Sequence, residues 1–203
     1  MILLDRLVAA AETMSVAEVV AVLLAITYLL LVIRQNILCW AAALASVLIY
    51  LVIFFNAQLY MESALQIFYA AMAVYGWYQW KYGGIEHQGL RIVTWRLHIH
   101  AIVIGGILGL TLGFGWVLSA TDAAFPYLDS FTTVAAVITT YMVTRKVLEN
   151  WAYWFVIDGL SVYLYVSREL YLTAGLFVLY LFMILIGFRC WWREWRSETL
   201  ATA

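Results

Sequence analysis

The sequence is short of four things: it has one proline, two cysteines, two lysines and only 11% charged residues among 203. A single proline, Pro126, rules out proline-rich linkers and stiff extended segments. Cys39 and Cys190 are too few for a disulfide framework, and near helix ends they read as inert thiols. The lysines are Lys81 and Lys146, so the last apolar segment holds none, which excludes a retinal-type Schiff base there. Phosphate-cradling Gly-x4-Gly-Lys-Ser/Thr, Gly-x-Ser-x-Gly and His-Glu-x-x-His motifs are all missing, so an ATPase or membrane hydrolase has no support. Nothing else suggests an enzyme or a bound cofactor. His98 and His100 stand at i, i+2, which divides them between helix faces, with no cysteine or carboxylate cluster beside them; no metal site follows. A net charge of -1 favours no acidic partner and no nucleic acid. Scarce charge also excludes a soluble domain, which needs a polar exterior.

What the chain has is apolar sequence: 67% hydrophobic residues and a mean hydropathy of +0.94. This is the composition of a multi-pass protein of the lipid bilayer. Residues 1–15, broken by Asp5, Arg6 and Glu12, read as a short amphipathic, interfacial lead-in, not a cleavable signal. About 20 residues cross a bilayer. Spans are predicted at 16–33, 37–55, 61–80, 97–118, 126–144, 151–167 and 170–190, with Pro126 opening the fifth. The whole of 1–203 is then one transmembrane domain. It divides into a three-helix unit (1–80), a linker helix (97–118) and a second three-helix unit (126–195), with 81–96 as the boundary.

Basic residues set the orientation. Arg34, Lys81, Arg91, Arg96, Arg145, Lys146, Arg189, Arg193 and Arg196 fall on the side of the C-terminus, against Arg6 and Arg168 on the other. The C-terminus is expected in the cytoplasm and the N-terminus outside.

The two units share residues. Asn36 and Trp40 recur as Asn150 and Trp154 at a spacing of 114, and Thr27-Tyr28 as Thr140-Tyr141 at 113. Leu59, Tyr60, Tyr69, Gly76 and Trp80 recur as Leu170, Tyr171, Tyr180, Gly187 and Trp191 at 111. Three crossings would invert a direct repeat, and a fourth restores its direction. The predicted fold is therefore all-α, seven transmembrane helices in a 3+1+3 parallel pseudo-repeat, SWEET-like, with a path between the halves. On this register Asp158 aligns with Leu44 and Gln66 with Phe177. Gly105, Gly109 and Gly113 in helix 4 would allow close packing within the protomer or between protomers.

Helix 6 carries the sharpest stripe. Asn150, Trp154, Asp158, Ser161 and Tyr165 share one face. An aspartate near the bilayer centre costs about 3 kcal/mol even on a mild insertion scale, so Asp158 must face protein or water. It either faces a substrate cavity or bonds a neighbouring helix. Helix 3 carries Glu62, Gln66, Tyr69, Ala73 and Trp77. Glu62 can sit at the interface. Gln66 is deeper, and its amide needs partners from a ligand or a helix. Trp40, Trp77, Trp80, Trp151, Trp191, Trp192 and Trp195 cluster towards the cytoplasmic boundary, and most of them read as interfacial anchors. Trp154 lies a turn inside, near Asp158, where an aromatic and a carboxylate could hold a flat cationic ring.

Two stretches, 66–80 (QIFYAAMAVYGWYQW) and 149–154 (ENWAYW) followed by Asp158 and Leu170-Tyr171, resemble the third- and sixth-helix signatures of the PnuC-type vitamin transporters. The resemblance spans nearly the whole chain. It implies facilitated diffusion of nicotinamide riboside across a bacterial inner membrane, trapping by a cytoplasmic vitamin kinase, and a homotrimer. It also implies ligand contacts at Gln66, Trp151 and Trp154. Adding the stripe residues gives the candidate substrate set Gln66, Tyr69, Asn150, Trp151, Trp154 and Asp158. Where the family pattern has asparagines in helices 3, 6 and 7, this chain has Ala73, Asp158 and Ile186. Thiamine, also a cationic aromatic, is the runner-up; neutral riboflavin suits Asp158 less. The reading from another class is a ligand-free membrane structural or assembly protein whose polar residues only join helices.

Overall fold

Ser15 starts the first helix. Its hydroxyl accepts from the Glu18 amide while the Glu18 carboxylate accepts from the Ser15 amide, a reciprocal cap that satisfies two free donors. The computed structural model describes residues 14–84, 87, 89–121 and 125–201. The proposed lead-in therefore lies outside the described residues, apart from its last two positions. Seven helices follow: α1 (Val16–Ile33), α2 (Cys39–Asn56), α3 (Tyr60–Tyr82), α4 (Leu97–Leu118), α5 (Pro126–Thr144), α6 (Asn150–Ser167) and α7 (Tyr171–Ala201). No sheet forms among the described residues; one isolated bridge joins Val93 to Val147. By length and composition α1, α2, α4 and α7 can each cross a membrane. The other three, α3, α5 and α6, have more polar side chains within their spans and fall short of that by composition. The boundaries match the expected ones within a few residues except in α7, which runs on to Ala201 instead of stopping near 190. Nothing after Gly187 breaks a helix, so it outlasts its apolar stretch.

Successive helices pack within α1–α3 and within α5–α7, and α4 packs on α5. The two sets meet where α3 touches α5 and where α1 touches α7. Four short turns share one device: Gln35, Gln58, Lys146 and Glu169 adopt φ of 50°, 60°, 49° and 59°. This left-handed conformation, unusual outside glycine, reverses the chain between antiparallel helices.

The core explains the tryptophans and corrects the reading of them as anchors. Trp40, Trp80, Trp151 and Trp191 are buried, while Trp77 and Trp192 are exposed. Trp40 lies on Gly76 and Trp151 on Gly187, where any β-carbon would collide with the ring. Each ring also meets a second indole edge-on: Trp40–Trp80 at 5.3 Å and 87°, Trp151–Trp191 at 5.4 Å and 89°. The second indole of each pair donates across to the other set, Trp80 Nε1 to the Val143 carbonyl (3.2 Å) and Trp191 Nε1 to the Val32 carbonyl (3.0 Å). Each such bond avoids the cost of a stranded buried polar group, about 1–3 kcal/mol.

These contacts recur at a constant offset of 111, and so do the turn residues and the bounds of α2 and α6. The 114 spacing is therefore corrected. Trp40 is matched by Trp151, not Trp154, because the Gly–Trp contact fixes the register. Asp158 then matches Val47 instead of Leu44, and Gln66 still matches Phe177.

The α4 glycine stripe does not serve packing within the protomer. A β-carbon at Gly105, Gly109 or Gly113 would meet no atom within 4 Å, so among the described residues this stripe packs against nothing within the protomer. Gly115 does, under the ring of Tyr127.

Candidate functional site

A cavity of ≈ 350 Å³ lies between the two helix sets. α1 contributes Ala25, Tyr28, Leu29 and Val32; α3 contributes Tyr69; α5 contributes Val143. α6 supplies Asn150, Trp151, Trp154 and Asp158, and α7 supplies Phe177, Tyr180 and Ile184. The volume lies at the lower end of the range of small-molecule pockets, which are characteristically apolar with a few placed polar groups.

The polar groups here are few and unmet. Asp158 is 5% exposed, and among the described residues no hydrogen bond or ion pair engages its carboxyl group. Asn150 is fully buried; its amide nitrogen donates to the Val147 carbonyl, but Oδ1 has no partner. Trp151 Nε1 is a buried donor with none. Three residues that line the aromatic chamber thus hold polar groups without partners among the described residues. A native fold tolerates that where something else satisfies them.

The aromatic walls are ordered against each other. Phe177 meets Tyr180 edge-on at 5.7 Å and Tyr165 at 5.1 Å. Tyr28 leans on Trp40 at 6.1 Å. Tyr69 and Tyr180 stand at the recurring offset and both line the cavity, so part of the wall is contributed twice.

Five of the six expected residues come together here: Tyr69, Asn150, Trp151, Trp154 and Asp158. Gln66 does not line the cavity; it lies one turn away from Tyr69, half-buried. On the helix 6 stripe, Ser161 donates to its own helix at Ile157, while Tyr165 backs Phe177. Of the helix 3 stripe, Glu62 and Trp77 are exposed and Ala73 is buried. The sequence reading omits Tyr28, Phe177 and Tyr180. The recurrence of Tyr69 as Tyr180 was the signal that could have named one of them.

His100 accepts or donates at Nδ1 to the Tyr153 hydroxyl (2.9 Å) and lies 3.9 Å from Glu149, while His98 is exposed. Among the described residues no three His, Cys, Asp or Glu side chains could hold a metal ion. Cys39 is buried and Cys190 exposed, both as free thiols.

Outside the helices, Lys146 is the notable charge. Only 9% exposed, it lies 4.6 Å above the Trp80 ring and donates to Gln35 Oε1 at 2.9 Å. Burial lowers its pKa from the ordinary 10.5, and the Glu194 and Glu198 carboxylates pull the other way.

Residues 15–193 match a family described as nicotinamide mononucleotide transporter. The nicotinamide riboside transporter PnuC of Escherichia coli (strain K12) is 25% identical over 174 residues, 73% of each chain. The riboflavin/roseoflavin transporter RibM of Streptomyces davaonensis is also 25% identical, over 190 residues, 90% of this chain and 87% of its own. The crystal structure of the vitamin B3 transporter PnuC superposes with a TM-score of 0.73 over 96% of this chain and 90% of that one. The identity there is 20%, so that likeness speaks to the fold alone.

Proposed function

Since the chain belongs to this family of PnuC-type vitamin transporters, we propose that it imports a vitamin with a flat aromatic ring by facilitated diffusion, nicotinamide riboside first. It is a membrane transporter and not an enzyme. The observation that carries the choice of substrate is Asp158: a buried carboxyl group without a partner, set in a chamber of aromatic rings. A pyridinium ring supplies what that chamber lacks, a positive charge for Asp158 and two faces for tyrosine and tryptophan. Trp154 and Tyr180 wall the ring, Tyr69 and Trp151 close the chamber, and Asn150 Oδ1 accepts from a hydroxyl. Gln66 belongs to the approach to the cavity.

All seven helices cross a bacterial inner membrane, N-terminus outside and C-terminus in the cytoplasm, in keeping with the bias of basic residues. The constant offset of 111 supports a 3+1+3 parallel pseudo-repeat, with α4 as the helix that restores direction. The uncontacted glycines of α4 give a second protomer a close-packing face in a homotrimer. With no energy source built in, net import requires trapping by a cytoplasmic vitamin kinase.

The match to a riboflavin/roseoflavin transporter, which covers more of this chain than the match to PnuC, favours riboflavin as a second reading. Thiamine is the third candidate. Calorimetric titration of the purified protein with all three decides among them. Asp158→Asn should weaken a cationic ligand by about 10- to 100-fold, the worth of a charge-assisted contact, and leave riboflavin affinity within about twofold. Undiminished affinity for nicotinamide riboside in that variant would remove Asp158 from the site.

A further inference from the structure

One end of the cavity is barred in three layers. Val32 and Val143 form its floor. Beneath them lie Trp80 and Trp191, 6.1 Å apart, each donating to the floor carbonyl of the opposite helix set. Beneath the indoles runs a polar chain. Lys146 lies over Trp80 and donates to Gln35 Oε1, and the Gln35 amide donates to Glu194 Oε2 on the overhanging end of α7. Every layer joins α1–α3 or their turns to α5–α7 or theirs. At the opposite end of the bundle the Arg168–Asp129 ion pair stays within the last three helices.

Gln35 and Lys146 are the same position in the two halves, 111 apart, in the same left-handed turn conformation. Two lysines meeting there would repel. One lysine against one glutamine makes a donor–acceptor pair, and Glu194 gives the chain its negative end. A buried ammonium is held only while it keeps such partners, so the contact is strong when closed and cannot be half-made.

We propose that Lys146 bolts the gate at this end of the cavity. Its bond to Gln35 holds the halves together beneath the floor and must break before a ligand leaves past the α1–α2 and α5–α6 turns. This rests on the transport reading of the cavity. Lys146 is a positioning residue, since it touches no part of the cavity itself.

The reporter is a native thiol. Cys39, the first residue of α2, is fully buried in the same core cluster as Val32, Val143, Trp80 and Trp191. With the exposed Cys190 replaced (Cys190→Ser), the rate of maleimide attack on Cys39 in detergent reads opening of this end. Lys146→Met keeps the apolar stem over Trp80 and loses the ammonium; Gln35→Leu removes the acceptor and serves if the first variant does not fold. Each should speed labelling by about tenfold or more, the worth of one charged hydrogen bond. Lys146→Arg should restore slow labelling, and affinity for nicotinamide riboside, thiamine or riboflavin should stay within about twofold of the parent. Labelling as slow in both variants as in the parent overturns the gate. If the parent binds none of the three vitamins, the substrate reading fails while the labelling result still decides the gate.

Discussion

Gly187 and Gly76 occupy equivalent positions, and replacing each with alanine separates what the fold needs from what the cavity needs. An added β-carbon at Gly187 falls closer than 3.0 Å to three atoms of the Trp151 ring, and at Gly76 it does the same to Trp40. Neither ring can retreat into solvent, being 1% and 3% exposed. Overpacking of this kind costs about 1–3 kcal/mol, and alanine's better helix propensity returns about 1. The net loss is up to about 2 kcal/mol for each variant, which at roughly 2–4 °C per kcal/mol is a fall of several degrees in melting temperature. The functional outcomes should differ. Trp151 has Trp191 on one side and the cavity on another, so its ring moves into the ligand space; a few tenths of an ångström to about 1 Å there should weaken binding by about tenfold. Trp40 does not line the cavity and leans on Tyr28, which does, so Gly76→Ala should leave affinity within about threefold. Thermal melting in detergent and calorimetric titration of both variants provide the check. Equal loss of affinity in the two would refute the role of Trp151 as a wall, and a stability cost confined to one would refute the equivalence of the two contacts at the offset of 111.

Lys146 gives a pH signature. Its pKa is lowered in the folded protein from 10.5, so between the two values the unfolded chain holds more protons and stability should rise with pH, the gain being complete above 10.5. Melting curves taken at alkaline pH, up to above 10.5, should show that rise, and Lys146→Met should flatten it; an identical slope in the variant would show that other groups cause it. At the far end, Arg168→Ala removes a 2.8 Å ion pair whose side chains are about a third exposed. Screened as it is, the pair is worth less than about 1 kcal/mol, so melting should shift by no more than roughly 4 °C with vitamin affinity intact; a larger shift would mean the pair holds more than its own turn.

Helix positions were legible in the sequence because long apolar runs broken by short polar turns admit few alternatives. α4 and α5 were placed to the residue, the latter by Pro126 at its first turn. α7 was cut short because bilayer thickness limits a span but not a helix. The register of the repeat was misread at Asn36 and Trp40, where identical letters pointed to Asn150 and Trp154. What fixes the register is a contact, an indole on a glycine of the neighbouring helix, and single-chain spacing does not contain it. The same limit hid part of the site. Asp158 was visible because a carboxylate in an apolar helix demands an explanation. Tyr28 and Phe177 were not, because an aromatic facing a cavity and one facing lipid look the same in a string of apolar letters. Buried and interfacial tryptophans were confused for that reason too.

The four left-handed turns restrict how this chain can change length. Each joins its helices in three to five residues, and each residue added to or taken from a helix turns everything beyond it by about 100°. One such change before α2 would swing Trp40 off Gly76 and aim its indole at lipid, and one before α6 would turn Asp158 out of the cavity. Within either half, then, side chains can be exchanged one at a time while the count between them stays fixed. Room for insertion lies outside that frame, just after α4, which makes the turn at 119–121 the place to splice a fluorescent reporter or an epitope into a working carrier.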